Sequence, residues 1–420
     1  MVMMESPTDM PRPTANQYLP STWRPFPLGL PNSKVTKSSL LKEEASGNCT
    51  PSCTRETSST EGSVFGDDSS SNDSSSTAPS EHDDEPASIV EMKPYTVIPA
   101  IQAQSEADST LAVDIRAPTV YDPLAPAATR LRYMIKNSDH IIKCPGVYDG
   151  LSARIAIDIG FEGMYMTGAG TTASRLGQAD LGIAQLHDMR TNAEMIANLR
   201  PDGPPLIADM DTGYGGPLVV AKSLQQYHLA GVAGFHIEDQ IMNKRCGHLA
   251  GKEVVDVETY IQRIKACIVA RKQLRSDIVI IARTDALQSK GFDDCIERLR
   301  RARAEGADMG ILEGVKSKEQ AALAAKLLAP WPLCYNSVEN GHSPLISARE
   351  AQEMGYRIII YSFASISPAY VAIKSTFEWL RETGMTGSSV TPKTIFNVCG
   401  LAESIIIDEA SGGTAFAKGV

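Results

Sequence analysis

From residue 126 onward the chain alternates short apolar runs with longer stretches in which apolar residues recur every third or fourth position. The runs at 141–147, 163–168, 206–211, 233–238, 278–284, 309–313, 332–337 and 357–362 read as strands, because each is a brief apolar segment bounded by turn residues. The stretches between them read as helices. Ile261, Ile264 and Ile268 lie on one face of such a stretch, as do Ile296 and Leu299. Asp149 and Asp256 stand where helix N-caps belong, and Gly160, Gly231, Gly306 and Gly355 where helices stop. Eight strands alternating with helices in under 300 residues predict an α/β chain folded as a closed (β/α)8 barrel of the TIM type rather than an open doubly wound sheet. In such a barrel the chemistry sits where strands run out into loops.

Residues 1–125 have another character. Between Glu61 and Glu85 there is no Lys or Arg and almost nothing to bury, so ordering that backbone, at about 1–2 kcal/mol per residue, has no compensating gain. The division expected is therefore a disordered acidic, Ser-rich tail over 1–125 and a catalytic barrel with a helical extension over 126–420. Cys49 and Cys53 lack a second pair and are not read as a metal site. The formal charge of −10 and pI near 5.3 argue against nucleic acid as a partner. Eight scattered cysteines, no apolar run long enough to span a bilayer and no secretory pattern at the N-terminus point to a soluble, cytoplasmic protein that avoids membranes.

The strand ends carry the candidate chemistry. In LIADMDTGYGG, Asp209 and Asp211 are two residues apart, and strand alternation turns both toward the barrel mouth. Two carboxylates sharing one cavity repel each other unless a cation lies between them. Glu238 and Asp239, Arg283 and Asp285, and Glu313 close the next three strands. Oxygen donors of this kind favour Mg²⁺ or Mn²⁺, and Arg283 suits a bidentate grip on a carboxylate, so the expected substrate is a small organic acid. The loop after the fourth strand holds Lys244, Arg245, Cys246, Gly247 and His248, a setting expected to lower a thiol pKa, with Gly247 and Gly251 giving the mobility of a lid. His140, His228 and His236 are read as packing or surface residues. Met164 and Met166 are read as core fillers, and Cys267, Cys295 and Cys399 as buried thiols.

With KRCGH (244–248), DMDTGYG (209–215), YDGLSA (148–153) and ARTDA (282–286) in this order, the chain resembles the isocitrate lyase and phosphoenolpyruvate mutase superfamily from about residue 130 to at least 380. The resemblance implies a (β/α)8 barrel whose last helix is swapped between subunits, giving a homo-oligomer that is a dimer of dimers. It implies C–C or P–C bond chemistry beside a carboxylate with Mg²⁺ or Mn²⁺. By motif, Asp209 corresponds to the direct metal ligand, while Asp180, Asp211 and Glu238 correspond to residues holding metal-bound waters. Tyr165, Thr167, Gly168 and Ala169 correspond to the turn that meets the substrate, with Thr167 where the family has serine. Arg283 and His248 correspond to substrate-binding residues and Cys246 to the thiol that protonates an enolate. NSVENGHSP (336–344) carries Ser343 before its proline, as the oxaloacetate-hydrolysing branch does. The implied reaction is hydrolysis of oxaloacetate to oxalate and acetate, with Ser343 and Asn336 orienting the substrate hydrate and Glu313 among the catalytic acids. A lyase acting on 2-methylisocitrate or 2,3-dimethylmalate is the alternative. A silent barrel used as an interaction platform is the reading from another class.

Overall fold

The computed structural model describes residues 121–416. Eight parallel strands, β1 (Ile142–Val147), β2 (Met164–Met166), β3 (Leu206–Asp209), β4 (Gly234–Glu238), β5 (Val279–Thr284), β6 (Met309–Leu312), β7 (Leu333–Asn336) and β8 (Tyr356–Tyr361), close into a barrel in sequence order. The ring is completed where β1 pairs with β8, Ile142 opposite Ile358 and Cys144 opposite Ile360. Every predicted strand is present, shortened or shifted by one or two residues. The expected tail lies outside the described residues except for 121–125.

Alternation along the strands sorts the core into two layers. Ile142, Cys144, Tyr165, Ile207, Val279, Ile281, Met309, Ile311, Cys334, Ile358 and Ile360 fill the barrel interior. Their neighbours, including Met164, Met166, Ala208, Phe235, Ile237, Ile280 and Ile359, pack outward against the helices. The helix Ala127–Asn137 contributes Leu131 to the interior layer and so plugs the N-terminal end of the barrel. Arg132 fixes it there with bonds to Asp308 and to the carbonyls of Asp277 and Ile278.

The caps behave as the sequence demands. Asp149 accepts from Ser152 N in a capping box, Asp256 accepts from Thr259 N, and Gly160 and Gly355 end their helices in the left-handed region. The three last helices, Ile366–Thr383, Pro392–Val398 and Leu401–Ala410, bury no residue against the rest of the chain. For this reason Cys399, expected to be buried, is exposed, while Cys267 and Cys295 are buried as predicted. Among the described residues no helix is long and apolar enough to cross a membrane.

Candidate active site

The interior parity that places Ile207, Ile281, Ile311 and Ile360 continues past the strand ends. It turns Tyr165 and Thr167, Asp209, His236 and Glu238, Arg283 and Asp285, Glu313, Asn336 and Ser362 toward the C-terminal mouth. A small cavity of about 20 Å³ lies among them, lined by Tyr165, Thr167, Ala169, Asp180, Asp209, Arg283, Asn336, Ser362 and Phe363. Lys244, Cys246, Gly247 and His248 roof it from the loop after β4. That loop is pinned down where Cys246 N donates to Asp180 O at 3.0 Å.

Asp209 is the most firmly held of the acids. Its Oδ1 accepts Asp211 N at 2.9 Å, its carbonyl accepts Tyr227 Oη at 2.7 Å, and Tyr165 Oη stands 3.5 Å from its Oδ2. Gly168 approaches so closely that a Cβ there would strike the Asp209 carboxylate. Burial works against the charge of Asp209, yet His236, Lys244 and Arg283 bring it below the usual carboxylate range. His236 is itself held below the usual imidazole range by burial, so with that ring neutral the two cations carry the effect. Tyr165 Oη and His236 Nε2 are 2.8 Å apart, which makes this fully buried histidine a support of the site rather than plain packing.

Asp211 is buried beside Asp209, but not by strand alternation. β3 ends at Asp209, and Asp211 occupies the turn with φ +46°. The expectation of two carboxylates on one strand face is corrected accordingly: the TGYG turn, not the pleat, brings the second acid in. Lys244 Nζ bridges it to Asp180, 2.6 Å from Asp180 Oδ1. Burial pushes Asp211 up to about 7, with Asp209 and Asp180 adding repulsion, and burial pushes Glu238 well above the usual range. Among the described residues no three acidic, His or Cys side chains converge as a direct ligand cage. An ionised Asp209 with Asp211 and Glu238 crowded beside it offers the oxygen donors a divalent cation takes.

Arg283 donates Nε and Nη2 to Asp285 at 2.7 and 3.0 Å and lies 3.3 Å from Glu238 and 3.7 Å from Glu313. A relay extends from it: Ser362 Oγ donates to Asn336 Oδ1 at 2.7 Å, and Asn336 Nδ2 donates to Glu313 Oε2 at 3.0 Å. His248 accepts His342 N at its Nδ1, which leaves the Nε2 proton facing Glu313 Oε1 at 3.4 Å. Thr167 accepts Gly170 N as an N-cap while lining the cavity.

Cys246 departs from the sequence expectation of a lowered thiol pKa. Burial, with Asp180 adding to it, pushes the thiol up to about 11, and the nearby cations Lys244 and Arg283 are already engaged by carboxylates. Ser343 is half-buried in the loop after β7 and does not line the cavity. Lys244, His236, Ser362 and Phe363 reach the site without having been assigned roles from the sequence.

Residues 131–381 match the family model described as phosphoenolpyruvate phosphomutase. A structure of oxaloacetate acetylhydrolase in complex with the inhibitor 3,3-difluorooxalacetate is 61% identical, with TM-score 0.69 over 69% of this chain and 99% of that one. A structure of 2,3-dimethylmalate lyase is 55% identical, with TM-score 0.69 over 71% of this chain and 99% of that one. The 2,3-dimethylmalate lyase of Eubacterium barkeri is 37% identical over 248 residues, 59% of this chain and 83% of that protein.

Proposed function

The chain belongs to the phosphoenolpyruvate phosphomutase family, and from that premise we propose that it hydrolyses the C2–C3 bond of oxaloacetate to give oxalate and acetate. The observation that carries the reading is one small cavity faced at once by an ionised Asp209, the guanidinium of Arg283 and the protonated thiol of Cys246. Likeness at 61% identity to oxaloacetate acetylhydrolase supports oxaloacetate as the acid.

A divalent cation, Mg²⁺ or Mn²⁺, held by Asp209 and through water by Asp180, Asp211 and Glu238, would supply Lewis-acid polarisation of the keto acid's C1 carboxylate and C2 oxygen. Arg283 neutralises a substrate carboxylate, its fork kept in plane by Asp285. Tyr165 and the short helix starting at Gly168 stand beside the cavity, where their donors would meet the oxygen on which charge develops. Oxaloacetate reacts as its C2 hydrate. One hydroxyl proton passes to the acidic cluster, the C2=O bond re-forms, C2–C3 breaks, and the electron pair moves to C3 as the enolate of acetate. Cys246, neutral because its thiol titrates near 11, gives its proton to C3 and recovers one from the cluster. The hydrogen oxalate left behind ionises in water. Asn336 and Ser362 keep Glu313 and Arg283 aligned.

The lyase reading is favoured by the 55% identity to a 2,3-dimethylmalate lyase structure. Both reactions need the same cation, arginine and thiol, so products decide between them. The purified protein with Mg²⁺ or Mn²⁺ is offered oxaloacetate, 2-methylisocitrate and 2,3-dimethylmalate in turn. Oxalate with acetate from the first is the expected result, abolished by EDTA and by Asp209→Ala. Pyruvate from either of the others, with no oxalate, establishes the lyase.

The oligomer expected of the resemblance is part of the same proposal. The helix Ile366–Thr383 lifts Tyr370, Ile373, Phe377 and Leu380 off its own barrel, and the helix Gly150–Ile159 leaves Leu151, Ile155 and Ile159 uncovered. One chain's last barrel helix fills the other's gap, and pairs of such dimers make a tetramer.

A further inference from the structure

The loop over the site returns to the barrel at Val254, which bridges back to Gln240. Its outgoing arm is held by Gln240, whose side chain accepts Arg245 N at 3.1 Å and donates to Arg245 O at 2.8 Å and Glu238 Oε1 at 2.9 Å. Its return arm carries Lys252, only 7% exposed and unused by the mechanism above. Lys252 Nζ donates to Gly247 O at 2.7 Å, within the lid, and to Asp285 Oδ1 at 2.8 Å, on the barrel. The same Asp285 takes two N–H groups of Arg283. Gly247 closes the circle, since a Cβ there would strike Arg283 Nη2 and lie 2.9 Å from Glu313 Cγ.

An ammonium at this depth is costly to desolvate unless both its partners are in place. One partner is the lid and the other is the acid that aligns the substrate arginine. When the lid lifts, Lys252 leaves Asp285 for water. When it closes, the lysine is desolvated and can be satisfied only if Asp285 stands ionised and aligned by Arg283. A lid that merely excluded water would be better served here by methionine or leucine. We propose that Lys252, assisted by Gln288, is a positioning residue that latches the closed lid to Arg283 through Asp285, so that closure and alignment of the substrate-binding guanidinium are one event. Gln288 Oε1 accepts the N–H groups of Gly251 and Lys252 at 3.2 and 3.4 Å and fastens the backbone of the same arm. The cavity beneath the lid, about 20 Å³, is small beside a dicarboxylic acid, so lid movement in turnover would release this latch and remake it.

The latch concerns the lid whichever acid is cleaved, and its test is independent of product identity. Hydrogen exchange of residues 241–252 is followed in the full chain with Mg²⁺ alone and with Mg²⁺ plus oxalate, alongside steady-state kinetics. In Lys252→Met, exchange in the lid accelerates about tenfold or more while β4 and β5 stay protected. Turnover falls about tenfold to a hundredfold, with KM moving by less than about threefold. Lys252→Arg recovers part of both. Gln288→Ala, a change at an exposed residue that leaves the fold intact, moves lid exchange in the same direction by a smaller factor and decides the matter should Lys252→Met not fold. Lid exchange unchanged in these variants overturns the proposal, as does an increase that spreads through β4 and β5. Pyruvate in place of oxalate from the substrate panel would overturn the proposed reaction and leave the exchange result to judge the latch.

Discussion

Cys246 shows how burial decides chemistry at the scale of one side chain. A cysteine beside Lys and Arg in sequence reads as an activated thiolate. In the fold Lys244 faces Asp180 and Asp211, Arg245 turns out to the Ala250 carbonyl, and what the sulfur feels most is loss of water, which favours its neutral form. A thiol titrating near 11 is a proton donor across the neutral range. Alkylation by iodoacetamide should therefore be slow at pH 7 and rise about tenfold per pH unit toward pH 10, tracking the thiolate fraction. An inactivation rate that plateaus by pH 8 would show a lowered thiol pKa and remove the donor role. Strand parity also marks residues that the sequence reading treats as packing or gives no role. His236 precedes Glu238 by two positions and Ser362 follows Ile360 by two, so the parity that marks the interior also marks them. The thiol's pKa was not legible, since it depends on which partners the cations choose in three dimensions.

Among the elements, the strands and caps were readable because each rests on local spacing: apolar runs, Asp149 and Asp256 at helix starts, Gly160 and Gly355 at helix ends. The end of β3 was not, because a left-handed Asp211 is not announced by residue type, although Gly213 and Gly215 mark a tight turn nearby. The turn after β2 has a sharper requirement. Gly168 opens the short helix Gly168–Thr171, and its missing side chain lets that backbone lie against the Asp209 carboxylate. Gly168→Ala should leave the barrel and its melting cooperativity intact, yet force Asp209 aside and weaken divalent-metal affinity by about tenfold to a hundredfold. Calorimetric titration with Mn²⁺ measures this directly, and wild-type affinity in the variant would mean that Asp209 is not the direct ligand.

For the molecule as a whole, the apolar pattern of the last barrel helix conflicts with its surroundings. Tyr370, Ile373, Phe377 and Leu380 recur at spacings of three and four, as in a helix that packs on a sheet or a neighbouring helix, yet Phe377 is 64% exposed and no residue of the helix is buried. The helix Gly150–Ile159, though the helix Pro392–Val398 packs against it, leaves the row Leu151, Ile155 and Ile159 in part exposed. The oligomer proposed above would bring these two apolar rows together between chains. If a second copy covers both, as proposed, each row is buried twice by symmetry. Phe377→Asp should then lower the sedimentation coefficient from that of an oligomer to that of a monomer at micromolar concentration. It should also lower the melting temperature, since the folded chain loses a partner that binds only the native state. Activity should fall with it, because the strand preceding this helix supplies Ser362 to the relay ending at Arg283 and loses its outer support. A variant that remains oligomeric with unchanged melting would mean that the bare helix serves some other contact, and that the gap beside Leu151 is closed from elsewhere.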